Sequence, residues 1–171
     1  RSFSASTAST SSTNPSTNLL NSINHIEAGI SPSDIMSARR SIEGEIAEIA
    51  AQTATLEDID GLKEALDNLA LGNDFPAQDA DWSRIFHQRL AVATHNPVWA
   101  LVNENIWNLM RSPLMETIRI RTKIYQNRRR RQKQRREVIA CIEKRDPAGA
   151  RKAMEDHIDH VTQFLFDKPV T

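Results

Sequence analysis

Residues 146–165 read DPAGARKAMEDHIDHVTQFL. The stretch opens on an N-cap residue type followed by Pro. The Asp146 side chain is suited to accept from an orphan N–H of the first turn, and Pro147 has no N–H to leave unmet. Beyond it Ala150, Met154, Ile158, Val161 and Leu165 recur at steps of 4, 4, 3 and 4, which places them on one side of an α-helix. The same punctuation recurs upstream at Ser31-Pro32, Asn96-Pro97 and Ser112-Pro113. Thr55-Leu56-Glu57-Asp58 resembles a capping box, with acidic residues where the helix dipole favours them. Two more stripes, Ile35-Ala38-Ile42-Ile46-Ile49 and Trp82-Phe86-Leu90-Ala93, keep the helical period. No sustained strand alternation occurs. The expected helices span 17–27, 32–54, 56–71, 78–94, 97–111, 113–126, 128–144 and 147–166, so the fold class is all-α, a compact bundle.

The rest of the composition narrows the function classes. With 171 residues, 39% of them apolar, the chain can bury a real core as one domain, two at most. A single cysteine, Cys141, excludes an internal disulfide and any multi-cysteine zinc site. No apolar run reaches membrane-spanning length and the start has no signal-peptide core, so a cytoplasmic protein is expected. Five scattered glycines give neither a P-loop nor a dinucleotide fingerprint. No GxSxG, HExxH or C-x-x-C is present, and the chain is expected not to be an enzyme. Residues 2–17 hold 11 Ser or Thr. Such a segment has too little to bury to offset ordering, and residues 1–17 read as a disordered Ser/Thr-rich linker ahead of a domain over 18–171. Because residue 1 is Arg, that linker fits either a missing upstream domain or a plain tail.

Charge is even only on average. Between Arg119 and Arg136 lie ten basic residues and no acidic one, which leaves 12 basic against 22 acidic elsewhere. The run fits nucleic-acid phosphates, or a solvated face that meets acidic surface. Among the five histidines, His87 follows Phe86 and His157 precedes Ile158, so each sits beside an apolar stripe, either as a core histidine or as one half of a metal pair. His160 reads more simply as exposed. Arg39 and Glu43, one turn apart, fit a structural ion pair or a pocket role for Arg39.

The order of motifs then carries a resemblance. Arg39-x-x-x-Glu43 with Ala47 and Ala50-Ala51 comes first. Phe86-His87 follows, with Asn96-Pro97 nine residues on. Val138, Ile142 and Asp146 come next, then Ala150, Met154 and His157. From about residue 31 to 166 this resembles the FCD domain, the C-terminal ligand-sensing domain of the FadR-type branch of the GntR transcription regulators. The segment Asn18–Gly29 is similar to the extra short helix of the seven-helix FadR type, rather than the shorter VanR type.

The resemblance implies an antiparallel bundle of six to seven helices around a central pocket, a small carboxylate effector and a homodimer. It also implies a winged helix-turn-helix domain upstream, absent from this chain, through which alone operator DNA would be read. Many FCD domains hold a divalent metal on an Asp, a His four residues later, and two further His. His87 and His157 match two of these positions, whereas Ser83 stands where the Asp would be and Arg135 where a third His would be. No metal is therefore expected; a divalent ion such as zinc on His87 and His157 is the alternative. The expected effector-binding residues are Arg39, Ser83, His87, Arg135 and His157, with Arg135 as a carboxylate fork in place of the metal. Arg135 lies in the run of ten cations, and solvent exposure is its other reading. The rival functions are a helical interaction or nucleic-acid-binding adaptor using the Arg119–Arg136 run, and a small metal-dependent enzyme.

Overall fold

The structure, a computed structural model, describes residues 29–71, 76–123 and 127–166. The expected linker over 1–17 and the first expected helix, 17–27, lie outside the described residues. Among the described residues seven helices follow from Pro32: α1 (Pro32–Thr53), α2 (Leu56–Leu71), α3 (Pro76–Val92), α4 (Pro97–Met110), α5 (Pro113–Thr122), α6 (Arg128–Glu143) and α7 (Pro147–Phe166). No strand occurs among the described residues. Each expected helix from 32 onward is present, with its ends shifted by a few residues at most.

The caps act as the sequence implies. Asn96 Oδ1 accepts from Val98 N at 3.0 Å, and Asp146 Oδ1 accepts from Gly149 N at 2.9 Å. Ahead of α2 the box is reciprocal: Thr55 Oγ1 accepts from Asp58 N at 3.1 Å, and Asp58 Oδ2 accepts from Thr55 N at 2.7 Å. Helix α5 stops four residues before its expected end, because Lys123 turns left-handed at φ 50° and its N–H bonds back to Ile120 O at 3.2 Å. His95 and Arg145 close α3 and α6 in the same conformation, at φ 54° and 55°.

Helix α1 occupies the centre, packing on α7 and touching α3, α4 and α6, while α5 packs chiefly on α7. The α7 stripe of Ala150, Met154, Ile158, Val161 and Leu165 is buried throughout. The α1 stripe is corrected. Ala38, Ile42 and Ile49 are only half-buried, and the inward face carries Met36, Arg39, Glu43, Ala47 and Ala50. That face is turned from the isoleucine stripe by roughly 100°, about one residue's rotation. Small residues explain the choice: Ala47, Ala50 and Ala51 are fully buried, and a Cβ on Gly44 would stand 3.1 Å from Glu155 Cγ of α7. The backbones approach along the alanine face, and Arg39 and Glu43 are carried inward with it.

Candidate functional site

Two buried groups of polar side chains meet in the middle of the bundle. The first joins three helices. On α1, Arg39 Nε donates to Glu43 Oε1 at 3.0 Å across one helical turn. From α4, Trp107 Nε1 donates to the same oxygen at 3.0 Å, and the Arg39 guanidinium lies 4.5 Å from the Trp107 ring centre. From α3, His87 Nδ1 sits 2.9 Å from Glu43 Oε2, and His87 Nε2 lies 3.2 Å from Arg39 Nη2. Both contacts require one tautomer: Nδ1 carries the proton and faces the carboxylate, while Nε2 accepts from the guanidinium. Burial pushes the Glu43 carboxyl up, but the charges and hydrogen bonds of Arg39 and His87 outweigh it and hold it down at about 2. Burial lowers His87 to about 4 despite the attraction of Glu43, with Arg39 and Arg135 adding to the fall. Near neutral pH the group is therefore a guanidinium, a carboxylate and a neutral imidazole, with no net charge.

The second group differs. Arg131 and Arg135, one turn apart on the inner side of α6, are 5% and 2% exposed. Arg135 Nη2 donates to Ser83 Oγ on α3, one turn before His87, and the Arg135 guanidinium stands 5.7 Å from the Phe86 ring centre. From α7, His157 is fully buried and its ring stacks on His87, with centres 5.6 Å apart and planes 19° apart. Gln134 Nε2 donates to Asp156 O at 3.3 Å, so its Oε1 is the acceptor facing His157 Nδ1 at 3.3 Å. The proton therefore resides on Nδ1 and leaves a bare lone pair on Nε2. That atom is buried and has no hydrogen-bond partner among the described residues. Burial, then Arg135, His87, Arg39 and Arg131, push His157 well below the usual imidazole range.

A cavity of about 30 Å³ lies against this second group, and Arg39, Arg119, Arg131, Arg135, Ser83 and His157 all line it. Its size suits one water. Four of the five expected site residues, Arg39, Ser83, Arg135 and His157, line the cavity, and the fifth, His87, stacks on His157 without lining it. Arg135 is corrected from its solvent alternative, since it is 2% exposed. Sequence reasoning missed Arg131, Arg119 and Trp107; the four-residue step from Arg131 to Arg135 was the available signal for the first. His160 is also corrected: it is 9% exposed, because α6 covers that side of α7, and its ring lies 2.7 Å from Asn127 Nδ2.

Larger grooves exist elsewhere. One of about 690 Å³ runs along the surface between α2 and α3, but its cations are already engaged: Arg89 by Glu64 and Arg84 by Glu104. Arg84 Nε is its one lining side-chain atom that is both buried and without a hydrogen-bond partner among the described residues, whereas the central cavity gathers several buried polar side chains and is the stronger candidate.

A divalent metal fits this arrangement poorly. The described residues hold no group of three or more His, Cys, Asp or Glu that could enclose an ion. The His87 nitrogens face Glu43 and Arg39 at 2.9 and 3.2 Å, the two imidazoles stack rather than converge, and four arginines share the cavity with His157.

Comparison with known proteins places this geometry. The family model described as FCD domain matches residues 34–160. The Uxu operon regulator of Haemophilus influenzae is 31% identical over 144 residues, which cover 81% of this chain and 52% of that protein. The Exu regulon transcriptional regulator of Escherichia coli is 31% identical over 146 residues, covering 82% and 54%. The chain thus spans about half the length of the curated relatives it matches. Among solved structures, E. coli McbR/YncC superposes with a TM-score of 0.68 at 17% identity, over 87% of this chain and 77% of that one. Streptococcus agalactiae GntR follows at 0.58 and 20% identity, over 85% and 62%. The chain belongs to the FCD domain family.

Proposed function

From that membership we propose that this chain is the effector-sensing and dimerisation part of a GntR-type bacterial transcription regulator. It takes a small organic acid into the central cavity and so modulates DNA reading by an N-terminal winged helix-turn-helix domain. The observation that carries the reading is the set of four arginines, Arg39, Arg119, Arg131 and Arg135, around one buried cavity at the junction of the helices. A planar guanidinium grips a carboxylate through two parallel hydrogen bonds, and Arg135 is the fork best placed to do so, with Ser83 beside it. The reading needs no metal and no catalytic group. The names of the relatives describe regulators, and no helix among the described residues is long and apolar enough to cross a membrane; a cytoplasmic homodimer is the setting that we propose.

With room for about one water, the cavity must open to admit an organic acid. Arg119 on α5 lies at its rim, with 18% of its side chain exposed, and α5 packs chiefly on α7. Entry past Arg119 would displace α5, and the displacement is how occupancy reaches the rest of the protein.

The test is a thermal-shift screen of the chain with small mono- and dicarboxylates and with divalent metals, followed by calorimetry on any acid that raises the melting temperature. One carboxylate binding stoichiometrically, and losing affinity in Arg135→Ala, is the expected result. Stoichiometric zinc in the purified protein would defeat the metal-free reading, and a full panel without a shift would defeat the effector reading.

A further inference from the structure

The basic run divides at the surface of α6. Arg131 and Arg135 point inward and Arg128 donates to Leu69 O, whereas Arg129, Arg130, Lys133 and Arg136 are exposed. Arg129, Lys133 and Arg136 follow one another at i, i+4 and i+7, a row of cations along ~10 Å of helix, with Arg130 beside it.

This row differs from six cations elsewhere in the protein. Arg40 pairs with Glu155 and Asp159, Lys63 with Glu143, Arg84 with Glu104, Arg89 with Glu64, Arg151 with Glu45 and Glu48, and Lys152 with Asp156. None of the four exposed cations of α6 forms an ion pair among the described residues. Acidic groups border the row: Glu137 one turn after Lys133, Glu143 seven residues beyond Arg136 and paired with Lys63, and Asp156 and Asp159 across the groove that Arg130 shares with α7.

We infer that the outward face of α6 is a contact for the phosphate backbone of double-stranded DNA. It holds the duplex without reading its sequence. Chemistry selects that partner over an acidic protein. The exposed residues of α6 are Arg129, Arg130, Lys133, Arg136, Glu137 and Glu143, with no apolar or aromatic side chain among them. Protein interfaces centre on aromatic or arginine anchors in well-packed, desolvated pockets, and this face has no apolar side chain to build such a pocket around its arginines. A duplex needs no such pocket, because released counterions drive the association and arginine forks fit phosphate oxygens. The inference goes beyond the effector reading and stands without it. Sequence readout still falls to an element seated in a groove, which this face does not supply.

The experiment is fluorescence anisotropy of two labelled 20-base-pair duplexes of unrelated sequence, titrated with the 171-residue chain from 20 to 150 mM salt. Both duplexes should bind within about twofold of each other. Affinity should fall with salt at a log–log slope of about −2 to −4, as expected for two to four neutralised phosphates. The double variant Arg129→Glu/Lys133→Glu should lose at least about tenfold at low salt, and Arg129→Gln/Lys133→Gln should fall between it and the parent. Arg111→Glu/Lys63→Glu carries the same change in net charge at other exposed positions and should lose less than about threefold. Near-equal melting temperatures would verify that all variants fold. The inference is overturned by no saturable binding at 20 mM salt, by equal losses in the two charge-reversed variants, or by polyglutamate binding more tightly than either duplex.

Discussion

Helix α6 carries cations on both its inner and its outer face. On the inner face, Arg131 and Arg135 are removed from water and Arg135 is held by Ser83. On the outer face, Arg129, Lys133 and Arg136 are exposed and form no ion pair among the described residues. Four-residue steps separate Arg131 from Arg135 and Arg129 from Lys133, so helical phase alone decides which cations enter the bundle. A guanidinium taken out of water must find partners of fixed geometry, and it becomes specific; one left in water interacts at range and without preference. In the two readings proposed above, one stretch of sequence would supply both a small-anion site and a polyanion surface.

The comparison breaks most visibly at the inner partners. Glu43→Ala leaves Arg39 buried without its carboxylate and frees Trp107 Nε1, and should cost about 3–5 kcal/mol of stability in urea unfolding. A loss below about 1 kcal/mol would mean that the buried group is not the tied unit described. Next in size is Arg135→Ala, which should weaken effector binding by about 1.5–3 kcal/mol, the scale of hydrogen bonds to a charged group. Calorimetry with the acid found by thermal shift reads that directly.

Acidity sharpens the contrast further. His87 and His157 are depressed in the folded chain, so the unfolded chain takes up their protons first. Stability should therefore fall as pH drops below about 6.5, by up to about 1.4 kcal/mol per pH unit for each histidine, and continue to fall toward the folded value of His87 near 4. Glu43, depressed in the opposite charge sense, stabilises above its unfolded value and adds its own loss between about 4.5 and 2. Denaturant midpoints at pH 7, 6 and 5 test the histidine part, and a flat profile would contradict it. The smallest effect belongs to the outer face: Arg129→Ala should change stability by no more than about 0.5 kcal/mol, within the scatter of a surface substitution.

How far the sequence could be read depends on which signal each feature leaves. Helix starts were legible because capping is local: Asn96, Ser112 and Asp146 each satisfy an N–H two or three residues away. The α7 stripe was legible because its inward face is plainly apolar. The α1 face was not, since a count of isoleucines cannot register that Ala47, Ala50, Ala51 and Gly44 let α7 approach closely, which turns Arg39 and Glu43 inward. The expected site residues all gather in one place, yet the resemblance singled them out, while residue patterns alone left His87 and His157 between core and metal. Arg131 and Trp107 left no separate mark: one was hidden among like charges, the other among ordinary apolar helix residues. His160 was read as exposed because nothing local shows that α6 lies over it.

The His157 ring has a use in the laboratory as well as in the pocket. Its Nε2 is an imidazole nitrogen with a proton-free lone pair, buried and unpartnered among the described residues, beside a cavity lined by arginines. A ring nitrogen in that state resonates far from one that accepts a hydrogen bond or carries a proton. In a sample labelled with nitrogen-15 histidine, this single nucleus would report arrival of a donor group, uptake of a proton or coordination of a metal as three different displacements, from inside the protein and without an attached dye.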